Sequence, residues 1–258
     1  MKRITFLSAK LATLGAGLAL STTVLAADGT FSLGTGFNYS SGKYGGTTAT
    51  DITSIPLLAK YETDAWTWKL TVPYLYVSGA TGVVPGVGRT GSSTTTGTEQ
   101  GLGDTTLAGT YAAYYDSANK FGVDLTGKVK FATGNRDKGL GTGANDYTAM
   151  VELFKVLGRT TVFGGLGYTA MGSTDTFKPN NVYSFSVGGS YKLNEQSSVG
   201  LSYDGRERVT ATSSPVSEVT GFVSHKLNKR WKSQFYLLKG LDHGSPDWGA
   251  GASVYYSF

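Results

Sequence analysis

Six side chains carry most of the chemistry open to this sequence: Lys69, Asp124, Lys128, Lys130, Glu152 and Glu218. Each falls on the polar phase of a stretch in which every second residue is apolar or aromatic. Lys226 shares that phase. Set around an interior, such residues would pair as salt bridges or line a wet passage. On a lipid-facing surface each cation would cost about 2–4 kcal/mol at mid-membrane. The six are therefore assigned to an inner face as candidate pore-lining residues.

Catalysis has little to build on. There are two histidines. His225 lies near a short turn, and His243 lies in a loop between Asp242 and Asp247. An Asp–His pair is the beginning of a general base, but no nucleophile matches it. Two carboxylates and one imidazole on a loop do not make a metal cage. The absence of cysteine excludes disulfides and thiolate metal sites. Gly139-Leu140-Gly141-Thr142-Gly143 and Gly101-Leu102-Gly103-Asp104 look like phosphate loops. Neither opens a helix in a βαβ unit, so loop and bulge geometry is the expectation. No catalytic, metal or cofactor site is expected, and the chain is not read as an enzyme.

The elements that must position the six follow from the run Trp66 to Val77. Trp66, Trp68, Leu70, Val72, Tyr74 and Tyr76 alternate with Thr67, Lys69, Thr71 and Pro73. A period of two is a strand with one apolar face. Aromatics at both ends with aliphatics between are what two membrane interfaces select. Ten steps of about 3.3 Å give about 33 Å. Tilted by about 40°, that is the ~25 Å height of an outer-membrane apolar band.

The 258-residue chain begins as an exported one would. Lys2 and Arg3 precede an apolar run from Leu11 to Leu20, and Val24-Leu25-Ala26 fits a cleavage site. Residues 1–26 are therefore expected to be a signal peptide, with a barrel over 27–258. Losing Lys2, Arg3 and Lys10 lowers the formal charge from +5 to +2, so the pI of 9.2 does not indicate nucleic-acid binding. No later segment reaches 18 consecutive apolar residues, which excludes membrane helices.

Alternation recurs along the chain, giving about twelve strands in an all-β, antiparallel transmembrane barrel. Turns of three to five residues alternate with loops of about seven to 25, the longest running from Ser78 to Gly103. Short turns would be periplasmic and long loops extracellular. Only the strand near Trp231 is ambiguous in phase, since Trp231, Phe235 and Leu237 compete with Tyr236 and Leu238. The last strand ends on Phe258, the kind of C-terminal aromatic that barrel-assembly machinery is thought to read.

Two finer expectations follow. Pairing Tyr61 with Trp66, Ala59 with Trp68, Leu57 with Leu70 and Ile55 with Val72 keeps one face apolar. Pro56 and Pro73 then lie diagonally on the inner phase, and each removes a ladder donor. A local bulge bending this wall inward is the expectation there. Lys128 or Lys130 is expected to pair with Glu152. Twelve strands lie between a filled eight-stranded barrel and an open sixteen-stranded one, so the lumen should be narrow or plugged.

Ile55-Pro56-Leu57-Leu58-Ala59-Lys60-Tyr61, Thr71-Val72-Pro73-Tyr74, Gly101-Leu102-Gly103-Asp104 and Val123-Asp124-Leu125-Thr126-Gly127-Lys128-Val129-Lys130 resemble the outer-membrane transporters named for the meta-pathway of phenol degradation. The resemblance covers most of the chain after Ala26. It implies a Gram-negative outer-membrane barrel with a transport role, distantly similar to functional-amyloid exporters. Those carry a periplasmic helical extension, for which Ala26 to Phe31 leaves no room. The expected function is passive passage of small solutes, hydrophobic or aromatic ones among them. The rival class is a closed structural or adhesive barrel that binds through its outer loops. Expected partners are outer-membrane lipid, the assembly machinery and a small solute, with a homotrimer as one open assembly.

Overall fold

A computed structural model describes residues 29–90, 95–211 and 213–258. The expected signal peptide lies outside the described residues. Among the described residues fifteen strands form: β1 (Thr30–Gly42), β2 (Thr50–Glu62), β3 (Trp66–Ala80), β4 (Val83–Val84), β5 (Gly88–Arg89), β6 (Thr96–Leu102), β7 (Thr105–Asp116), β8 (Phe121–Phe131), β9 (Asp146–Leu157), β10 (Thr160–Ala170), β11 (Val182–Lys192), β12 (Ser197–Arg206), β13 (Val216–Lys226), β14 (Trp231–Gly240) and β15 (Trp248–Ser257). All but β4 and β5 belong to one antiparallel sheet, closed because β1 pairs with both β2 and β15 while β2 also pairs with β3. β6 and β7 both pair with β3 and together make one wall strand. The barrel therefore has twelve wall strands and no free edge of the ring.

Connections 63–65, 117–120, 158–159, 193–196 and 227–230 are short and lie at one end. Connections 43–49, 81–95, 132–145, 171–181, 207–215 and 241–247 are longer and lie at the other. This places the long loops outside the cell. The outward face carries two aromatic belts. At the short-turn end Trp66 stacks on Trp68 and meets Tyr111, while Trp231, Tyr256, Phe258 and Phe31 form a second group. At the long-loop end Tyr39 meets Trp248, Tyr168 meets Tyr183 and Phe185 meets Tyr203. Phe258 also donates its main-chain N–H to Phe31 O at 3.0 Å.

The phase of β14 is settled: Trp231, Phe235 and Leu237 are exposed on the outer face, and Leu238 is buried inside. Two details differ from the sequence reading, and a bulge adds a third feature. Pairing of β2 with β3 is shifted by two, with Tyr61 opposite Trp68 and Ile55 opposite Tyr74. Thr63 ties the turn by donating its N–H to Trp66 O at 2.8 Å and accepting from Trp66 N at 2.9 Å. A shift of two leaves every side chain on its face. Thr96–Leu102, read as loop, is strand, because the backbone of Tyr74–Ala80 offers it a ladder. At Ala113 a bulge reverses the phase of β7, so Tyr115 stacks on inward Phe154 at 6.2 Å.

The bulge expected at Pro56 and Pro73 is also corrected. The two prolines are direct partners, and the β2–β3 register runs unbroken through them. Pro73 O accepts from Gly103 N at 2.9 Å, so its missing N–H faces β6 and β7, not Pro56. The β1–β2 ladder skips Gly36 and Phe37, the residues opposite Pro56 and Ile55, without changing register. The irregularity lies one strand further over. Between Thr71↔Thr106 and Tyr74↔Leu102 the β6–β7 strand carries one residue more than β3. That extra residue sits in Gly103-Asp104-Thr105, where a Cβ on Gly103 would meet Leu75 at 2.5 Å and Pro73 at 3.1 Å.

Candidate functional site

The six inner-face candidates separate into two levels. Lys69, Asp124, Lys128 and Glu152 lie on the wall made by β3, β8 and β9. Their neighbours along each strand, such as Trp68, Leu125 and Val151, are exposed to the outside, so these four face in. All four are half-exposed and none is isolated. Lys69 and Lys128 share a row through the small Ala108. Glu152 is the direct partner of Asp124, Lys128 that of Thr148, and Lys130 that of Asp146. Register therefore places Lys130 against Asp146, not Glu152. Nearer the short turns Lys60 pairs with Glu62 at 2.8 Å and lies 5.5 Å over the Tyr255 ring.

At the outer level the chemistry is denser. Lys130 Nζ lies 3.0 Å from Asp104 Oδ2 and 2.9 Å from Asp146 Oδ2, and also donates to Thr142 Oγ1. Asp104 accepts from Gly134 N at 2.9 Å and from Thr142 N at 3.2 Å. Asp146 accepts from Gly172 N at 2.9 Å. The two glycine motifs thus meet. Asp104 of the first fixes both ends of the loop that contains the second, and Leu140 of that loop lies beside Gly101. Leu140 is buried with Leu75, Val77, Ile52, Tyr44 and Val83. Three of these are wall residues of the inner phase and three come from loops, so the outer loops fold into the barrel mouth. Burial pushes the Tyr44 hydroxyl up to about 12, which keeps it neutral in this cluster.

The longest loop reaches furthest. β4 and β5 close a small hairpin with Val83 opposite Arg89 and Val84 opposite Gly88. Thr90 N donates to Gly82 O at 2.7 Å at its base. Its tip leaves β3 and arrives at β12, six wall strands away and so directly across the ring. There Arg206 donates from Nη1 to Gly86 O and from Nη2 to Val87 O, each at 2.7 Å. The Arg206 Nε is buried without a hydrogen-bond partner. Val84 and Val87 pack on Val182 and Val209, flanked by Met171 and Phe177. Arg89 lies against Gly46 of the first loop. Glu218, the sixth candidate, attracts Arg206 at this level and is the cross-strand partner of Asp204. The hairpin thus crosses the barrel mouth, held by one arginine between two apolar clusters.

The sequence reading missed Asp104, Asp146 and Arg206. Asp104 stood inside a motif set aside as loop geometry. Arg206 lies on the inner phase of β12 as its last residue, where alternation alone does not separate strand from loop. The histidines form no shared centre. Ser197 and His225 are cross-strand partners with Oγ and Nδ1 2.8 Å apart, and His243 N donates to Asp242. Among the described residues no three histidine, cysteine or carboxylate side chains cluster as metal ligands would.

A closed twelve-stranded antiparallel ring with two aromatic belts, a polar inner face and long loops at one end is a bacterial outer-membrane β-barrel. The family described as "Putative MetA-pathway of phenol degradation" matches residues 22–258, and the chain belongs to that family. Its fold is similar to that of the COG4313 outer membrane channel from Pseudomonas putida F1, with a TM-score of 0.68 and 14% identity over 94% of this chain and 100% of that one. It is also similar to the KdgM porin, with a TM-score of 0.55 and 13% identity over 88% of this chain and 99% of that one. No curated protein matches the sequence.

Proposed function

We propose that the protein is a passive outer-membrane channel for small solutes, aromatic compounds among them, with the β4–β5 hairpin as its gate. The observation that carries this reading is the lower lumen: Lys69, Asp124, Lys128 and Glu152 face inward yet remain in contact with solvent. The similar solved folds are a channel and a porin, which accords with it. The solute gradient drives passage, and lumen charge sets selectivity. Lys69, Asp124, Lys128, Lys130, Glu152 and Glu218 are the proposed lining. Residues 1–26 direct export, Phe258 contributes the assembly signal, and a homotrimer is an assembly open to it.

One observation favours a second reading. The outer half of the lumen is packed by two apolar clusters, as a closed barrel that binds through its loops would be. Planar-bilayer recording separates the two. Folding is checked first by the gel shift between unboiled and boiled samples. Discrete conductance steps that enlarge when residues 83–89 are removed support the gated channel. Silence from the folded, inserted deletion variant supports the closed barrel.

A further inference from the structure

The short-turn rim of the barrel carries a charge asymmetry that neither the lumen nor the gate uses. Four of its turns follow one another from β7 to β14. With the strand ends beside them they comprise residues 116–121, 155–160, 191–197 and 226–232, and hold eight lysines and arginines against two carboxylates, Asp116 and Glu195. The fifth turn, residues 62–66, holds Glu62 and Asp64 and no cation. The long-loop rim mixes signs, as in Arg136-Asp137-Lys138 and Glu207-Arg208. An excess of six positive charges along one sector of a rim repels itself unless anions lie against it.

Three of these cations are exposed on the outer face of the wall. Lys155 lies in the outward phase of β9, opposite Phe121 on β8 and Val162 on β10. Arg159 donates from Nε to Lys192 O at 2.9 Å and from Nη2 to Leu193 O, which lays its guanidinium 5.5 Å over the ring of Tyr191. Tyr191 is exposed in the same outward phase as Phe185 and Val187. Arg230 donates from Nη1 to Tyr256 Oη at 2.9 Å, within the aromatic group of Trp231, Tyr256 and Phe258. Among the described wall strands the outward phase holds one other lysine, Lys239 at the long-loop rim, and no arginine. A cation on a lipid-facing surface settles where its charge reaches the headgroups, and the aromatic belt marks that level. Asp116, across Phe121 from Lys155, offsets that lysine in part, but its oxygens are taken up by Ala118 N, Asn119 N and Asn119 Nδ2 of its own turn.

The two guanidinium groups lie against outward rings, not beyond the turn tips where an acidic protein in the periplasm would meet them. The partner they fit is lipid phosphate, which takes charge-assisted hydrogen bonds from ammonium and guanidinium groups. With Nε and Nη2 engaged, Arg159 still has the donors of Nη1, and Arg230 has those of Nη2 and Nε. A zwitterionic headgroup brings its own ammonium and cancels itself, whereas an anionic one does not, so the excess charge of this sector discriminates between them. We infer that the short-turn rim from β9 to β14 is a docking surface for anionic phospholipid headgroups of the periplasmic leaflet, with Lys155, Arg159 and Arg230 on the phosphates. The inference holds whether or not the lumen conducts.

Native mass spectrometry of the folded full-length barrel tests this, with phosphatidylglycerol and phosphatidylcholine of the same acyl chains added in equal amounts. The gel shift between unboiled and boiled samples checks folding. Each cation near an anionic headgroup is worth roughly a fivefold preference, so phosphatidylglycerol adducts should outnumber phosphatidylcholine adducts at least about fivefold. Lys155→Gln with Arg230→Gln leaves the backbone bonds of Arg159 in place and should bring the ratio down by about fivefold or more. The single variants, each at an exposed position, should fall between and carry the test if the pair does not fold. Lys239→Gln, at the opposite rim, should leave the ratio unchanged. Equal adducts of the two lipids on the unaltered barrel overturn the inference. So does a preference that survives the folded variants, or one that falls as far in Lys239→Gln.

Discussion

Arg206→Ala should convert a mostly closed barrel into a flickering one. Arg206 makes two hydrogen bonds of 2.7 Å to the hairpin carbonyls of Gly86 and Val87. A hydrogen bond from a charged group contributes roughly 1.5–3 kcal/mol. The open state hydrates the freed carbonyls, so roughly 3 kcal/mol for the pair is a fair allowance. That moves the open-to-closed ratio about a hundredfold. The hairpin is not freed outright. Val84 and Val87 stay buried against Val182 and Val209, and each buried valine contributes roughly 1.5 kcal/mol or more. The expected trace in a planar bilayer is therefore a large rise in open probability with closures still present. Removing residues 83–89 should instead hold the lumen open. Arg206→Lys keeps the charge but not the planar fork, and should fall between. Truncating Arg206 also strips Glu218 of its attraction, so Arg206→Ala with Glu218→Gln isolates the loss of the clamp. An unchanged open probability in the folded, inserted double variant would refute the clamp.

Three further outcomes follow from the same contacts. Lys128→Glu reverses a charge in the row that also holds Lys69, and should shift reversal potentials in a salt gradient toward cation selectivity without altering the gel shift. Asp104→Ala leaves the Lys130 ammonium one carboxylate short and frees Gly134 N and Thr142 N, a loss of roughly 3 kcal/mol. Trypsin should then cut at exposed Arg136 and Lys138 many-fold faster, while Asp104→Asn, which keeps an acceptor, should fall between. Phe258→Ala removes ring contacts to Phe31 and Tyr256 at the seam between β1 and β15, and should lower the yield of folded barrel in cells more than it lowers the stability of what folds.

The wall was legible because its code is local. Outside faces lipid and inside faces water, so alternation of Trp66, Trp68 and Leu70 with Thr67 and Lys69 fixes the face of each residue without reference to a partner. Register is less local. A two-residue slip between β2 and β3 keeps every face, so the pattern could not distinguish Tyr61↔Trp66 from the observed Tyr61↔Trp68. The Thr63 turn makes that choice. The prolines misled for a related reason. Counting missing donors says that a ladder is interrupted, but not on which side, and both Pro56 and Pro73 aim the gap away from each other.

The interior resisted reading because the plug obeys no period. Val83, Val84 and Val87 stand among Gly82, Pro85, Gly86 and Gly88, which looks like ordinary loop sequence. Nothing near them in the chain says that their partners are Val182, Val209 and Arg206, more than ninety residues on. Yet one local feature does carry the information. An exposed loop has no use for three valines in five residues, whereas a loop that enters a barrel needs them to replace lost water. Leu140 between two glycines and Tyr44 in a Gly-rich loop make the same point, and both are buried. In a barrel whose walls are already explained by alternation, aliphatic and aromatic residues left over in the long loops are the residues that fill the lumen. By that argument the gate is written in the loops and the selectivity in the wall, and the two should respond separately to mutation.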